Sequence, residues 1–391
     1  MSTDFTRKKI YRISTVSHSL AILLKNQFKY LTQLGYDYTL MCFPDDEVLK
    51  QSELEGTSFF PLFLSRKFDI VSDLRQLFRL IRFIRKNKPN IIHTHSPKAG
   101  LVGMLAAKIT GVRCRVHTVA GLPLVEKEGA YKLLLVQVEK IVYRCAQVVL
   151  FNSKVQAQYV INNKWISPNK VRIINKGSSN GIDVDYFKRT ETIANQVVEL
   201  NNKIGKRDGD YVITFVGRIA KSKGIDELVN AFIKILKTKP NTHLVLVGSE
   251  DDVDPISKDS WHIINQNQHI HWFGYKEDVR PYFQMSDIFA FPSYREGFPQ
   301  VIMQACAMEC AIVATDINGA NEIIDNNSNG ILIDTKSESE IEQACLRLIN
   351  DPELRRVLSS NSRNSVVEGF RQTDFWNELD SLYCELLGGQ I

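Results

Sequence analysis

The chain has 391 residues, 44% hydrophobic and 24% charged, with a formal net charge of +5, a length that points to two or three globular domains rather than one core. No run reaches the ~18 apolar residues a membrane span needs, because Lys132, Glu139, Lys140 and Arg144 interrupt the most apolar stretch, and residues 1–9 hold no apolar signal core; the expected location is cytoplasmic. Seven cysteines without a Cys-x-x-Cys pair suggest neither a disulfide framework nor a zinc site, and Cys306 and Cys310 read as core residues.

In chain order, residues 11–16 read as a strand, 20–34 as a helix and 38–42 as the next strand. Between Phe68 and Lys88 an amphipathic helix is expected, with Leu74, Leu77, Phe78, Ile81 and Ile84 on one face and Arg75, Arg79, Arg82 and Lys86 on another. That basic face is either simply solvated or a surface for anionic lipid headgroups; it lacks the interleaved aromatics and motifs that nucleic acid would require. Strands follow at 91–95, 113–119 and 148–151, with helices at 99–110 and 131–145 between them. Short strands alternating with helices imply a parallel sheet covered on both faces.

Residues 178–210, rich in Asn, Gly, Lys and Asp, read as a connection. A second α/β series then runs through strands at 211–216, 243–247, 270–273, 287–291 and 311–314, with helices at 225–236 and 301–309. After Asp351-Pro352 the chain is helical, and 375–387 has amphipathic spacing suited to packing back on the first domain. The fold class is α/β. Two Rossmann-like domains are expected, 1–180 and 181–372, facing across a central cleft, with 373–391 as a crossover helix.

No Gly-x-Gly-x-x-Gly fingerprint or Walker-type Gly-Lys-Ser/Thr loop occurs, which argues against nicotinamide, flavin and P-loop enzymes. Chemistry concentrates elsewhere. Behind the strand at 211–216 come Gly217-Arg218 and Lys223-Gly224, with a helix opening after them. A guanidinium, an ammonium and a helix N-terminus together favour a diphosphate, although a basic surface loop would look the same. Gly248 ends the next strand and permits close backbone approach, or makes an ordinary turn. Gly274 and Tyr275 would flank a nucleobase, or form a turn with a core tyrosine. Glu296-Gly297-Phe298-Pro299 leads from a strand end into a helix, where the crevice of an open parallel sheet lies, and eight residues after Glu296 stands the amide Gln304.

In order and placement, these segments together with Asn318-Gly319-Ala320-Asn321-Glu322 and Asn329-Gly330 resemble glycosyltransferase family 4, the retaining nucleotide-sugar enzymes of the GT-B fold. The resemblance implies that Arg218 and Lys223 hold the donor diphosphate, that Glu296 binds hydroxyls of the transferred sugar, and that Gly297, Phe298 and Pro299 bring a helix start toward the phosphates. It also implies a glutamate on the ribose where this chain has Gln304, and a histidine near the anomeric centre where it has Ala120. His117, three residues earlier, either substitutes for that histidine or caps a strand; His93 and His95 sit at another strand end, and His18 lies in the first strand-to-helix turn, near phosphate or merely on the surface.

The runs His93-Thr94-His95-Ser96-Pro97-Lys98 and Gly177 to Asp183 resemble bacterial members that extend undecaprenyl-diphosphate-linked saccharides for capsule, O-antigen or glycoprotein glycans. That subset implies a UDP-sugar donor, a lipid-linked acceptor, His18 and Lys98 as acceptor-binding residues, and peripheral attachment to the inner membrane. No metal cofactor is expected, since two cations replace the divalent ion and Asp183-Val184-Asp185 lies on the connection. The rival readings are a nucleotide-sugar epimerase, which needs an acid/base pair bracketing the sugar, and a catalytically silent binding subunit, which the departures at Gln304 and Ala120 suggest.

Overall fold

The computed structural model describes residues 8–65, 69–122, 124 and 128–388. The chain divides into two compact units, one of residues 1–181 with 372–391, the other of 182–371.

Unit 1 runs β1 (Lys8–Ile13), α1 (Ser17–Ala21), α2 (Gln27–Gln33), β2 (Tyr36–Cys42), α3 (Asp46–Leu54), β3 (Ser58–Pro61), α4 (Ile70–Asn87), β4 (Ile91–His95), α5 (Pro97–Ile109), β5 (Cys114–Val119), α6 (Gly129–Cys145), β6 (Val148–Phe151), α7 (Lys154–Asn162) and β7 (Val171–Arg172). Its sheet has the order β3-β2-β1-β4-β5-β6-β7, every pairing parallel. Strands buried on both faces explain why 91–95 and 148–151 read as unbroken β segments despite their histidines and threonine.

Unit 2 contains α8 (Glu191–Ile204), β8 (Tyr211–Val216), α9 (Ile225–Thr238), β9 (Thr242–Val247), α10 (Lys258–Gln266), β10 (Ile270–Trp272), α11 (Arg280–Gln284), β11 (Ile288–Phe291), α12 (Gln300–Ala307), β12 (Ala311–Thr315), β13 (Ile331–Ile333), α13 (Glu338–Asn350) and α14 (Pro352–Gly369). Its parallel sheet is ordered β10-β9-β8-β11-β12-β13. The strand order reverses between β8 and β11, so the loops leaving those two strands open at the carboxyl edge where such sheets bind ligands.

The last helix, α15 (Gln372–Leu386), belongs to unit 1. Phe375, Trp376, Leu379, Leu382 and Tyr383 are buried in its second core with Phe28, Tyr36 and Leu40. The Trp376 indole donates to Asn180 Oδ1 over 2.7 Å, which ties the helix to the end of the first segment.

Three local expectations are corrected. The helix expected over 20–34 is two helices, because Asn26 takes a left-handed conformation at φ 68° and caps α2; the side chain of Glu55 compensates by accepting from the N–H groups of Asn26, Phe28 and Lys29. The first strand ends at Ile13, and Ser14–Val16 form the turn into α1. On α4 the buried stripe is Leu80, Ile81 and Ile84, while Leu74 and Phe78 face outward at 48% and 63% exposure, continuing an apolar stripe from Ile70 and Val71. Both stripes obey helical spacing, so periodicity alone does not choose between them. The Phe68 start proposed for this helix lies outside the described residues.

Candidate active site

The loops after β8 and β11 are laced together by backbone bonds. Tyr294 N–H donates to Ser222 O over 2.9 Å, and the loop after β9 is sewn to the first of them by Ile219 N to Ser249 O at 2.8 Å and Lys221 N to Asp254 O at 2.9 Å. Gly224 caps α9 in a left-handed conformation at φ 70° and sits against Pro292, the residue that follows β11. Short strand-to-helix turns on neighbouring strands are therefore held at van der Waals distance.

Onto this frame the chain brings Lys223 and Glu296, 73 residues apart, as a direct ion pair, with side chains 16% and 18% exposed. Ser293 Oγ donates to the same carboxylate oxygen over 3.0 Å, and the Phe291 ring lies 5.7 Å from the ammonium. Each group thus helps fix the position of the other. Partial desolvation strengthens every electrostatic interaction made there.

Arg218 pairs with Asp251, and its own side chain stays 62% exposed. Asp251 is the fixed member: it is 8% exposed and accepts from the N–H groups of Val253 and Asp254 at 2.9 and 3.2 Å. The Val253 N–H first, then that of Asp254 and the Arg218 guanidinium, hold its carboxyl below the usual value. The site therefore presents two cations, each escorted by one acid, beside the N-terminus of α9.

The other residues expected to bind a donor all lie in unit 2. Gly217 is bonded through its N–H to Val247 O at 2.9 Å, and Gly248 to Gly274 O at 2.8 Å. Tyr275 is 72% exposed. Gly297 and Phe298 lead to Pro299, which precedes the first residue of α12, and Phe298 packs 5.7 Å from Phe370. Gln304 lies in the middle of α12, half-buried.

Sequence reasoning gave no role to Asp251, Ser293, Tyr294 or Glu227. Tyr294 Oη donates to Glu227 Oε1 over 2.6 Å and so anchors the β11 loop to α9. The only signal for Asp251 was an acid three residues past a strand-end glycine, which many surface turns share.

In unit 1 the structure withdraws two candidates. His117 is 1% exposed, bonds Thr94 Oγ1 at 2.8 Å through Nδ1, and packs so closely on α5 that a Cβ at Gly100 would lie 2.6 Å from its ring. Burial pushes its pKa down to about 3, so it is a neutral core residue. Lys98 is 6% exposed, and its ammonium lies 2.9 Å from Asp73, which ties the start of α5 to α4. His18 remains accessible, with its side chain 61% exposed and 3.7 Å from Glu47. His93 and His95 are buried at 1% and 6%.

Gly177 to Gly181 has the Gly-x-Ser-x-Gly spacing of hydrolase nucleophile elbows but leads into no helix, and the Ser179 hydroxyl accepts from Asn152 Nδ2 at 2.6 Å. Asp208/Asp210 and Asp252/Asp254 repeat the Asp-x-Asp spacing of Asp183/Asp185. Asp210 binds the Arg207 N–H and Asp254 that of Ser222.

Two family models match the chain, Glycosyltransferase Family 4 over residues 20–186 and Glycosyl transferases group 1 over 197–365. The capsular polysaccharide biosynthesis glycosyltransferase CapM of Staphylococcus aureus is 31% identical over 97% of this chain and 98% of its own. The UDP-Gal:alpha-D-GlcNAc-diphosphoundecaprenol alpha-1,3-galactosyltransferase of Escherichia coli is 26% identical over 92% of each. Among solved structures, Anabaena Alr3699/HepE in complex with UDP and glucose superposes with a TM-score of 0.80 at 18% identity, covering 97% of this chain and all of that one.

Proposed function

The chain belongs to glycosyltransferase family 4, and from that premise we propose that this transferase is a retaining enzyme that moves a hexose or N-acetylhexosamine from a UDP-sugar to an undecaprenyl-diphosphate-linked saccharide in bacterial surface-glycan synthesis. The supporting observation is the Lys223–Glu296 pair at the strand-order reversal of unit 2. Unit 2 is then the donor-binding unit and unit 1 the acceptor-binding one.

In this reading Arg218 and Lys223 take the diphosphate and stabilise the charge that develops on it as the C1–oxygen bond breaks. Glu296, released from Lys223 by the incoming phosphate, accepts hydrogen bonds from the sugar hydroxyls. The acceptor hydroxyl attacks C1 from the face the nucleotide leaves, and its proton passes to the leaving phosphate oxygen. Gly217 and Gly248 allow close backbone approach, Gly274 and Tyr275 flank the uracil, and Gly297, Phe298 and Pro299 direct α12 at the phosphates. His18 is retained as the acceptor-side candidate. The two cations serve where other transferases hold a divalent ion, so turnover is expected to survive EDTA.

The deciding experiment offers UDP- and GDP-sugars with a lipid-diphosphate acceptor and reads products by mass spectrometry, with and without EDTA. Silence toward every donor would leave a nucleotide-sugar-binding subunit, and epimerised donor without transfer would leave an epimerase.

Gln304 offers the ribose one accepting oxygen where a carboxylate offers two. Gln304→Glu is expected to tighten UDP binding several-fold, about 1 kcal/mol, by calorimetry. Unchanged affinity would show that the ribose lies elsewhere.

A membrane-surface role for α4 rests on its exposed Ile70, Val71, Leu74 and Phe78 beside exposed Arg75, Arg82, Arg85 and Lys86. Arg79 contributes less, since its guanidinium lies 4.7 Å over Phe60. Among the described residues no helix is long and apolar enough to cross a membrane. Reversing the charge of Arg75 and Arg82 is expected to abolish flotation with anionic liposomes. Undiminished flotation would end this part of the reading.

A further inference from the structure

Unit 1 buries a cation with no acid beside it. Arg12 on β1 is 1% exposed. Its Nη1 donates to Tyr383 Oη at 2.6 Å and to His93 Nδ1 at 2.8 Å, and its Nη2 donates to Gln27 Oε1 at 2.7 Å. All three partners are neutral acceptors, and among the described residues no carboxylate lies within ion-pair distance of Arg12. Its Nε has no partner. A guanidinium does not deprotonate in a protein, and a buried charge without a counter-charge is strongly unfavourable.

The neighbouring histidines supply no negative charge. Arg12 can only donate, so His93 Nδ1 accepts, and its Nε2–H is directed at Thr118 Oγ1, 2.6 Å away. His95 stacks on His93 at 4.7 Å between ring centroids, and its buried Nε2 has no partner. Burial first, then the Arg12 charge, keep both rings well below their ordinary pKa and neutral.

Arg12 and His95, the two residues with a stranded nitrogen, line the same small cavity, together with Gln27, Thr118, Asn152 and Ser178. Its free volume is about 10 Å³, room for a single water or a single ion of similar size and too little for phosphate or sulfate.

We propose that this cavity is a binding site for one small inorganic anion of the halide class, held by the Arg12 guanidinium and by His95 in the tautomer that carries its proton on Nε2. Such an ion supplies the missing counter-charge and the missing acceptor together. It is a structural ligand and takes no part in transfer. Because Tyr383 lies on α15 and bonds both Arg12 and His93, occupancy stiffens the network that fastens α15 to β1 and β4.

The whole chain is melted in sodium chloride and in sodium gluconate at equal ionic strength, and crystals are soaked in sodium bromide for anomalous diffraction. At chloride ten times its dissociation constant the melting temperature of unit 1 rises by roughly 3–6 °C along a saturating curve, and a bromide peak appears between Arg12 and His95. The Arg12→Met variant loses the chloride dependence; if that variant does not fold, the bromide peak in the wild-type chain decides alone. Equal melting in the two salts, a rise linear in salt, or a cavity without a bromide peak overturns the proposal and leaves a water there.

Discussion

Replacing Lys223 with alanine is expected to lower kcat about 10²–10³-fold, the loss that follows removal of one preorganised donor from a developing oxyanion. The Lys223 side chain is 16% exposed and held between the Glu296 carboxylate and the Phe291 ring, so its ammonium has a fixed position. Arg218 makes its own, separate contact in this reading and does not replace it: that guanidinium is held by Asp251, whose carboxylate two backbone N–H groups immobilise. Glu296→Gln removes the other half of the pair and is expected to act on the sugar more than on the nucleotide, so the donor KM should rise while UDP affinity changes little.

The double variant Lys223→Ala/Glu296→Gln should lose less than the product of the single losses, because groups that act on one ligand are not additive. Steady-state kinetics on the four forms, with circular dichroism as a folding control, tests this. A Lys223→Ala enzyme within threefold of wild type would remove Lys223 from the reaction.

Gly248→Ala is expected to destabilise unit 2 by about 3–5 kcal/mol, which corresponds to a fall in melting temperature of roughly 6–20 °C. Gly248 has φ 144°, and a Cβ built there would collide with the carbonyl of Gly217. Both atoms belong to backbone that is already bonded, Gly217 N–H to Val247 O and Gly248 N–H to Gly274 O, so neither strand end can yield alone. Relief requires shifting the loop that carries Arg218 and Lys223. Donor affinity should fall together with stability.

Gly274→Ala is the matched control. Gly274 also has a positive φ, 64°, but faces open space, so only the left-handed strain remains, about 1–2 kcal/mol. Urea unfolding of the two variants compares backbone collision with strain alone. If Gly248→Ala unfolds at the wild-type urea concentration, the close approach of the β8 and β9 ends does not exist in solution.

The alternating α/β pattern was legible wherever strands are buried on both faces. Residues 91–95, 148–151 and 211–216 were delimited residue for residue, because a continuous apolar or β-branched run leaves the chain few alternatives. Edge and short elements were not. β3 (Ser58–Pro61) is half-buried at the sheet margin and β13 (Ile331–Ile333) has three residues, too few to establish a period. The break at Asn26 was hidden because the residues around it are good helix formers, and what compensates it is Glu55, distant in sequence.

The candidate site divides along the same line. Arg218, Lys223, Gly248 and Glu296 could be singled out as candidates from the sequence because each stands at a strand end or between a strand and a helix, and such junctions are local features of the chain; Gln304, in the middle of α12, was marked only by the family resemblance. Tertiary structure alone decided which cation meets which acid: Lys223 reaches Glu296 and Arg218 reaches Asp251, since partner choice depends on strands adjacent in space and distant in sequence. It also decided that His117, inside β5, and Lys98, at the start of α5, are interior, and that Leu74 and Phe78 are not. Periodicity specifies that a segment has faces. Which face is covered follows only from what packs against it.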